Sequence, residues 1–483
     1  MHGFFPVSFQ IYEGERPPEG AHRSRAAPGE VPLTDWSTPA TFFDPDGPVT
    51  RDEFAQQMTV AGPFPASASL AVAVSGGADS MSMLLLLSDW ARATGRSLTA
   101  LTVDHGLRPE SADEARQVGR WCALLGVSHE ILRWSGEKPA HRVQEEARRA
   151  RYDLMESWCA KHDIENLFVA HTEDDQAETF LFRMSRGSGP AGLAAMPLVS
   201  YRARVRVIRP LLTIGRQRLE TTLKAAGQAW VEDPGNTDRR YARVRVRNRL
   251  AELDTNGISA AAVAGTARIF GRLRAARENQ VARLAAEAVT IYPEGYADID
   301  RMALTKADPE IAMLLTSALI AQTGGREFAP KRARTASLFR ALIVGPETIT
   351  RTLGGCVISA SAARVRLWRE PGTISHEIPI SGGMSAIWDR RFLVTLRSAS
   401  RRAAVSVSAL GRGGWEAIAA DIGSDFRHIP GPVRYGLPAI RREGYILQVW
   451  HLDYRSSRIS ENIMENAVFK VRSPFSGPPF WVA

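Results

Sequence analysis

At 483 residues the chain is several times longer than one hydrophobic core requires, so two or three domains are expected, and 44% hydrophobic with 23% charged residues is the balance of an ordinary soluble globular protein. No apolar run approaches the roughly 18 residues of a membrane span, and no basic segment followed by an apolar core opens the chain, so a cytoplasmic protein without membrane contact is expected. Cys122, Cys159 and Cys356 are far apart and odd in number, which argues against a disulfide scaffold and a CxxC metal pair and leaves them as small buried apolar residues.

Met1–Asp46 carries Pro17, Pro18, Pro28, Pro32, Pro39 and Pro45 among Gly, Ser, Arg and Glu, without sustained apolar periodicity, and reads as a disordered extension. Thr50–Met58 has the length of a short helix leading into a first strand. From Leu70, the strand-length apolar runs Leu70–Val74, Leu98–Val103, Val127–Leu132 and Asn166–Ala170 alternate with the helical stretches Ser80–Ala93, Ser111–Leu125 and Gln144–Lys161. Strands spaced by helices imply βαβ crossovers, hence an α/β domain over residues 47–250 with a doubly wound, Rossmann-like parallel sheet. Thr213–Ala226 reads as a further helix and Asp233-Pro234-Gly235-Asn236 as a turn. Residues 251–326 are expected to form a helical linker, with the Ala- and Arg-rich stretch Ile258–Val289 as its main part. Over 327–483, short apolar segments such as Gly355–Ser359, Val365–Arg369, Phe392–Leu396 and Tyr445–Val449 suggest strands of a mixed α+β domain.

Ligands of open α/β sheets bind beyond the carboxyl ends of the strands. That rule places Ser75–Ser80, Asp104–Arg108 and His171–Asp175 at one edge, because each follows a strand directly. Ser75-Gly76-Gly77-Ala78-Asp79-Ser80 is a strand–turn–helix junction in which two glycines permit a tight turn with its N–H groups facing an anion. Asp79 next to a phosphate would be repulsive unless a divalent cation lay between them, so it is read as holding Mg²⁺ against phosphates. The spacing fits neither the Walker loop nor the dinucleotide fingerprint, and an ordinary glycine turn is the competing reading. Downstream, Asp175 and Glu178 stand at i and i+3 and share a helical face just after His171. Such a pair can bind a cation, orient an ammonium group or remove a proton, or simply favour the start of a helix. Arg148 and Arg151 lie on a helix with Glu145 and Glu146 as potential partners, as an exposed charged helix would also have. Between Tyr201 and Arg249 the positive excess equals the whole net charge of +9, with Arg far outnumbering Lys, so a local polyanion contact or a solvated basic face is expected there.

The loop Ser75–Ser80 resembles the pyrophosphate loop of the N-type ATP pyrophosphatases. The ordered series Val103-Asp104-His105-Gly106-Leu107-Arg108, Ala147-Arg148-Arg149-Ala150-Arg151-Tyr152, Ala170–Thr179, Arg186–Leu193, Arg209-Pro210-Leu211-Leu212 and Glu232–Asn236 resembles the tRNA(Ile)-lysidine synthases. The resemblance is dense from about Leu70 to Arg247 and weaker in the C-terminal third. It implies that ATP adenylates the wobble cytidine of an isoleucine tRNA bearing a CAU anticodon, that free L-lysine then displaces AMP, and that the C-terminal domain assists tRNA binding. It further implies ATP and Mg²⁺ contacts by Ser75, Gly76, Gly77, Ala78, Asp79, Ser80, Val103 and His105, and catalytic roles for Asp79, Arg151, His171, Asp175, Glu178 and Arg247. Val244 and Thr172 depart from the common family residues Asn and His, which leaves the function of those two positions open. The oligomeric state also stays open, a homodimer included. Another adenylating enzyme, such as an RNA thiolase or an amidating ligase, is the alternative; the lack of paired cysteines speaks against the first and the basic segment against the second. A nucleotide-sensing or RNA-binding protein without catalysis would need Asp79, Asp175 and Glu178 to be dispensable.

Overall fold

A computed structural model describes residues 44, 46–106, 110–136, 143–202, 205–232, 242–326, 328–374, 377–398, 405–423, 426, 428–470 and 482. The expected disordered extension, apart from Asp44 and Asp46, and the expected turn after Asp233 lie outside the described residues. The chain divides into two compact units, one built on Pro28–Ala276 and the other on Arg277–Pro479.

In the first unit the elements run α1 (Arg51–Ala61), β1 (Leu70–Ala73), α2 (Ala78–Ala93), β2 (Leu98–Asp104), α3 (Ser111–Leu124), β3 (Ser128–Arg133), α4 (Val143–Lys161), β4 (Asn166–Phe168) and α5 (Glu173–Ser185). A short turn of helix α6 (Pro190–Leu193), strands β5 (Val199–Tyr201) and β6 (Arg206–Ile208), and helices α7 (Arg216–Ala225), α8 (Ala242–Thr255) and α9 (Ala260–Ala288) follow; α9 runs on into the second unit. The sheet order is β3-β2-β1-β4-β6-β5. Every pairing is parallel except β5 with β6. Alternation along β1 explains the double winding, since successive side chains point to opposite faces. Leu70 and Val72 join a core with Val118 and Cys122 of α3 and with Met81, Leu84 and Leu87 of α2. Ala71 joins another with Tyr152, Met155 and Cys159 of α4. Met81, Met83, Leu84 and Leu87 have no exposed surface, and burial of each such side chain contributes about 1.5–3 kcal/mol, which fixes α2 firmly behind the loop it follows.

The sheet has two strands that periodicity did not reveal. β5 and β6 are three residues each, too short for an alternation to show. β6 extends the parallel ladder because Asn166–Phe168 pairs with Arg206–Ile208.

The described residues of the second unit form three antiparallel sheets. In the first, Val289–Tyr292 and Tyr296–Asp300 pair with one another, and Tyr296–Asp300 pairs with Arg364–Arg369. Residues 289–292 and 296–300 are therefore strand, within the span 251–326 that was expected to form a helical linker. Gly295, with φ of +81°, turns this hairpin, a conformation that costs glycine little. Arg391 is almost wholly buried and is held by Asp389 at 2.7 Å, which also binds Arg369 at 3.0 Å. Beside them His451 stands edge-on to Phe392, with ring centroids 5.3 Å apart. Its ring nitrogens are closed off from solvent, although the residue as a whole is only half-buried.

Burial pushes the His451 pKa down to about 4, so the imidazole is neutral in the fold while the unfolded chain takes up a proton near 6.5. The stability this residue contributes is complete above pH 6.5 and is lost as pH falls towards 4. His451→Leu is expected to flatten the fall in melting temperature between pH 6.5 and 4; an unchanged slope in that window would show that other groups set the acid response.

Candidate functional site

β1 ends where the strand order reverses, since β2 lies on one side of it and β4 on the other. The turns leaving β1 and β4 border a crevice of the kind in which open sheets bind ligands. Gly76 has φ of +90°, which favours glycine, and a Cβ there would sit tightly, 3.2 Å from Val118 Cγ2. The loop is braced from within. Ser80 Oγ donates to the Gly77 carbonyl at 2.9 Å and accepts from the Ser75 amide at 3.1 Å and the Ser75 hydroxyl at 3.2 Å. Val231 N–H donates to the Gly76 carbonyl at 2.9 Å. Gly77 begins α2 without a side-chain cap, which leaves the first amides of the helix for an anion.

The opposite wall is the start of α5. Buried Thr172 caps it in a reciprocal box: its hydroxyl accepts from Asp175 N–H at 3.3 Å, while Asp175 Oδ2 accepts from Thr172 N–H at 3.0 Å. The residue that departs from the family pattern thus serves as the N-cap. Each acid of this turn has its own partner. Glu173 accepts from Arg268 at 3.1 Å, Asp174 accepts from the Arg216 amide at 2.8 Å, and nearly buried Glu178 accepts from Arg247 Nε at 2.9 Å. The shared face of Asp175 and Glu178 is present, but the two carboxylates are held differently, one by a backbone cap and one by an arginine. Burial raises the Glu178 pKa, opposed by Arg247 and reinforced by the charge of Asp175.

Across the crevice, Arg216 Nε lies 3.3 and 3.2 Å from the two Asp79 carboxylate oxygens. Burial pushes Asp79 up to about 6 against the pull of Arg216, with Asp175 and Asp174 raising it further. Burial opposes the Arg216 charge, yet Asp79, Asp175 and Asp174 together hold its pKa above the usual arginine value. Asp79, Asp174, Asp175, Glu178 and Arg216 therefore form one electrostatic group. Among the described residues no group of three or more His, Cys, Asp or Glu side chains is arranged as a metal cage.

The other expected residues lie on β2, on α4 and in the turns that follow β2 and β4. His171 is buried at the turn after β4. Val103 packs at the end of β2 against the core shared with α4, and His105 sits edge-on to Trp134 at 5.9 Å. Asp104 accepts from Gly106 N–H at 2.9 Å and from the Ser111 hydroxyl at 2.8 Å, and the latter bond helps hold its carboxyl below the usual range. Arg151 and Arg148 lie over the Tyr152 ring at 5.7 and 5.3 Å, with Arg202 over the same ring at 5.1 Å.

The basic segment is only partly an outward face. Arg202 binds Asp153 and Glu156, Arg206 binds Asn166 and the Ala61 carbonyl, Arg209 is buried against Pro197 and Ser200, and Arg218 binds Glu53. With Arg216 and Arg247, these arginines point at internal acceptors. Arg239, Arg240 and the side chain of Arg243 lie outside the described residues. Sequence reasoning passed over Arg216. Its signal was an arginine opening a helix just after Gly215, where a cation opposes the helix dipole and needs a nearby anion.

A family model described as a PP-loop domain matches residues 51–253. The chain is similar to the tRNA(Ile)-lysidine synthase of Ruegeria pomeroyi, 38% identical over 325 residues covering 67% of this chain and 76% of the relative. It is also similar to that of Wolbachia pipientis wMel, 31% identical over 81% of this chain and 91% of the relative. A third, from Bradyrhizobium, is 45% identical over 48% of this chain and 63% of the relative.

The Glu178–Arg247 pair supports a stability test. Replacing Arg247 by Met strands a nearly buried carboxylate and is expected to cost about 2 kcal/mol, less than for a fully buried pair because the Arg247 side chain is 38% exposed. Glu178→Gln in the same chain should recover much of that loss in urea melts. Additive losses in the double variant would show that the two side chains are not coupled.

Proposed function

Because the chain belongs to the tRNA(Ile)-lysidine synthase family, we propose that its PP-loop domain joins lysine to the wobble cytidine in two steps at the crevice between β1 and β4. The protein is an ATP-dependent ligase that forms lysidine in tRNA(Ile). The observation that carries the mechanism is the braced loop Ser75–Ser80, with uncapped amides, facing the carboxylates at the start of α5.

In the first step the C2 carbonyl oxygen of the cytidine attacks the α-phosphorus of ATP, and pyrophosphate leaves with the electrons of the broken P–O bond. In the second the side-chain amine of lysine attacks C2, and AMP leaves with the former carbonyl oxygen. The logic is physical: a carbonyl oxygen on the ring is a poor leaving group, whereas AMP is a good one. Catalysis then consists of positioning, charge neutralisation and proton removal.

The loop amides of Gly76, Gly77, Ala78 and Ser80 would cradle the phosphates. Mg²⁺ fits Asp79, because Mg²⁺ is commonly held by one or two carboxylates together with substrate phosphates rather than by an all-protein cage. Burial is the main cause that lifts the Asp79 pKa, and the neighbouring charges of Asp175 and Asp174, which raise it further, would be offset by a cation there. When bound, the ion supplies charge neutralisation of the departing pyrophosphate. Arg151 and Arg247 would face the phosphate of the adenylated intermediate, His105 and Val103 the nucleotide, and His171 the turn that brings α5 to the substrate. Glu178 and Asp175 would hold the lysine ammonium. Burial raises the Glu178 pKa, which suits its carboxylate to accept a proton from the amine. The described residues contain no helix long and apolar enough to cross a membrane, and a cytoplasmic enzyme meeting its tRNA there accords with this reading.

Pyrophosphate–ATP isotope exchange with purified protein, each of tRNA, ATP and lysine omitted in turn, tests the scheme. Exchange should require tRNA but not lysine, and AMP should accumulate only when all three are present. Exchange without tRNA would favour an amidating ligase.

Asp79→Ala should abolish exchange while leaving tRNA binding near wild type; turnover within threefold of wild type would remove Asp79 from the metal–phosphate role. Asp175→Asn and Glu178→Gln should each impair lysine transfer more than exchange. An equal fall in both would move the carboxylates from lysine handling to adenylation.

A further inference from the structure

Arg216 joins the two walls of the crevice. Its side chain bridges the two Asp79 oxygens at 3.3 and 3.2 Å, while its amide binds Asp174 on the facing helix at 2.8 Å. The side chain is 26% exposed and its Asp79 partner 24% exposed, so the ion pair is accessible from the crevice without being freely solvated. Only Nε is engaged. The two terminal nitrogens of the guanidinium have no hydrogen-bond acceptor among the described residues, and a guanidinium fork is well matched to phosphate oxygens.

Arg216 thus stands where a cation on Asp79 would stand. A carboxylate bridged by Nε cannot give both oxygens to a divalent ion, and two cations on one carboxylate repel. We propose that Arg216 is a pyrophosphate-binding residue, held on Asp79 in the nucleotide-free protein and transferred to the β- and γ-phosphates when nucleotide and cation arrive. The exchange leaves no charge unpaired: Asp79 passes from one cation to another, and Arg216 passes from a carboxylate to a phosphate. The amide bond to Asp174 does not involve the side chain, so the backbone anchor of α7 survives the exchange. Before nucleotide binds, the arginine keeps Asp79, Asp174 and Asp175 from repelling one another across the crevice.

This assignment rests on the adenylation reading of the loop, and two measurements separate the two. Mn²⁺ binding to the nucleotide-free protein at pH 8, followed by electron paramagnetic resonance, is expected to be at least threefold tighter in Arg216→Met than in wild type, because the carboxylate is released from its resident cation. In tRNA-dependent exchange the same variant should show a KM for pyrophosphate raised tenfold or more. Arg216→Lys, which keeps the charge without the fork, should bind Mn²⁺ like wild type and show an intermediate KM. If Arg216→Met does not fold, Arg216→Gln takes its place in both measurements. Equal Mn²⁺ affinity in the neutral variant and wild type overturns the proposal, as does an unchanged KM for pyrophosphate. Absence of exchange in the wild-type protein supplied with tRNA and ATP would instead overturn the adenylation reading, with the Mn²⁺ comparison still deciding whether Arg216 occupies Asp79.

Discussion

Half-buried carboxylates cannot be gathered at one place without counter-charges, and most of the first unit is organised around that constraint. Asp79 comes from the first turn of α2, and Glu173, Asp174, Asp175 and Glu178 come from the first turns of α5. Their arginines come from later in the chain: Arg216 from α7, Arg247 from α8 and Arg268 from α9. Removing one partner of such a pair leaves a charge in a poorly solvated place, which costs more than the pair contributes. The acids and arginines therefore tie three late helices to the edge of an early sheet.

The apolar packing delivers these groups to position. Ala177 and Phe180 of α5 form a separate core with Leu250 of α8 and Val263, Ala264 and Ala267 of α9. That core lies along the same helices that carry Glu178, Arg247 and Arg268, so burial of methyl groups sets the spacing at which the ion pairs close. On the other wall, α2 is held by its own buried face and α7 by Leu219 and Leu223, which join the same core. Ser82 on α2 donates to the Leu219 carbonyl at 3.0 Å, a direct link between the helix that starts at the phosphate loop and the helix that carries Arg216. Dry packing fixes the scaffold, and polar contacts at its rim present charge to a substrate.

The parts of this arrangement that were legible in the sequence are those with a strong local pattern. β1, β2, β3 and β4 were found within a few residues because their apolar runs are bounded by helix-like stretches, and the loop after β1 was found because glycines and an aspartate there have few other uses. The i, i+3 spacing of Asp175 and Glu178 was also legible, whereas their different partners were not. Thr172 looked like a missing histidine and is a helix cap. The arginine-rich stretch was harder still, since a list of charges does not say which ones point inward: Arg202, Arg206, Arg216, Arg218 and Arg247 meet side-chain acceptors 40 to 165 positions away, and Arg209 meets acceptors 9 and 12 positions away. Long-range pairing of this kind is decided by the fold, and no local window contains it.

The three cysteines bring a practical consequence. All are buried, and burial pushes the thiol pKa up to about 11 for Cys122 and to about 12 for Cys159 and Cys356. A thiol reacts as its thiolate, so near neutral pH these side chains are almost inert to maleimides and to mild oxidants. The natural protein is then a silent background for thiol labelling. A single cysteine introduced at an exposed position such as Leu124 would take a fluorophore or spin label alone, without prior removal of the native residues and without the packing losses that their replacement would bring.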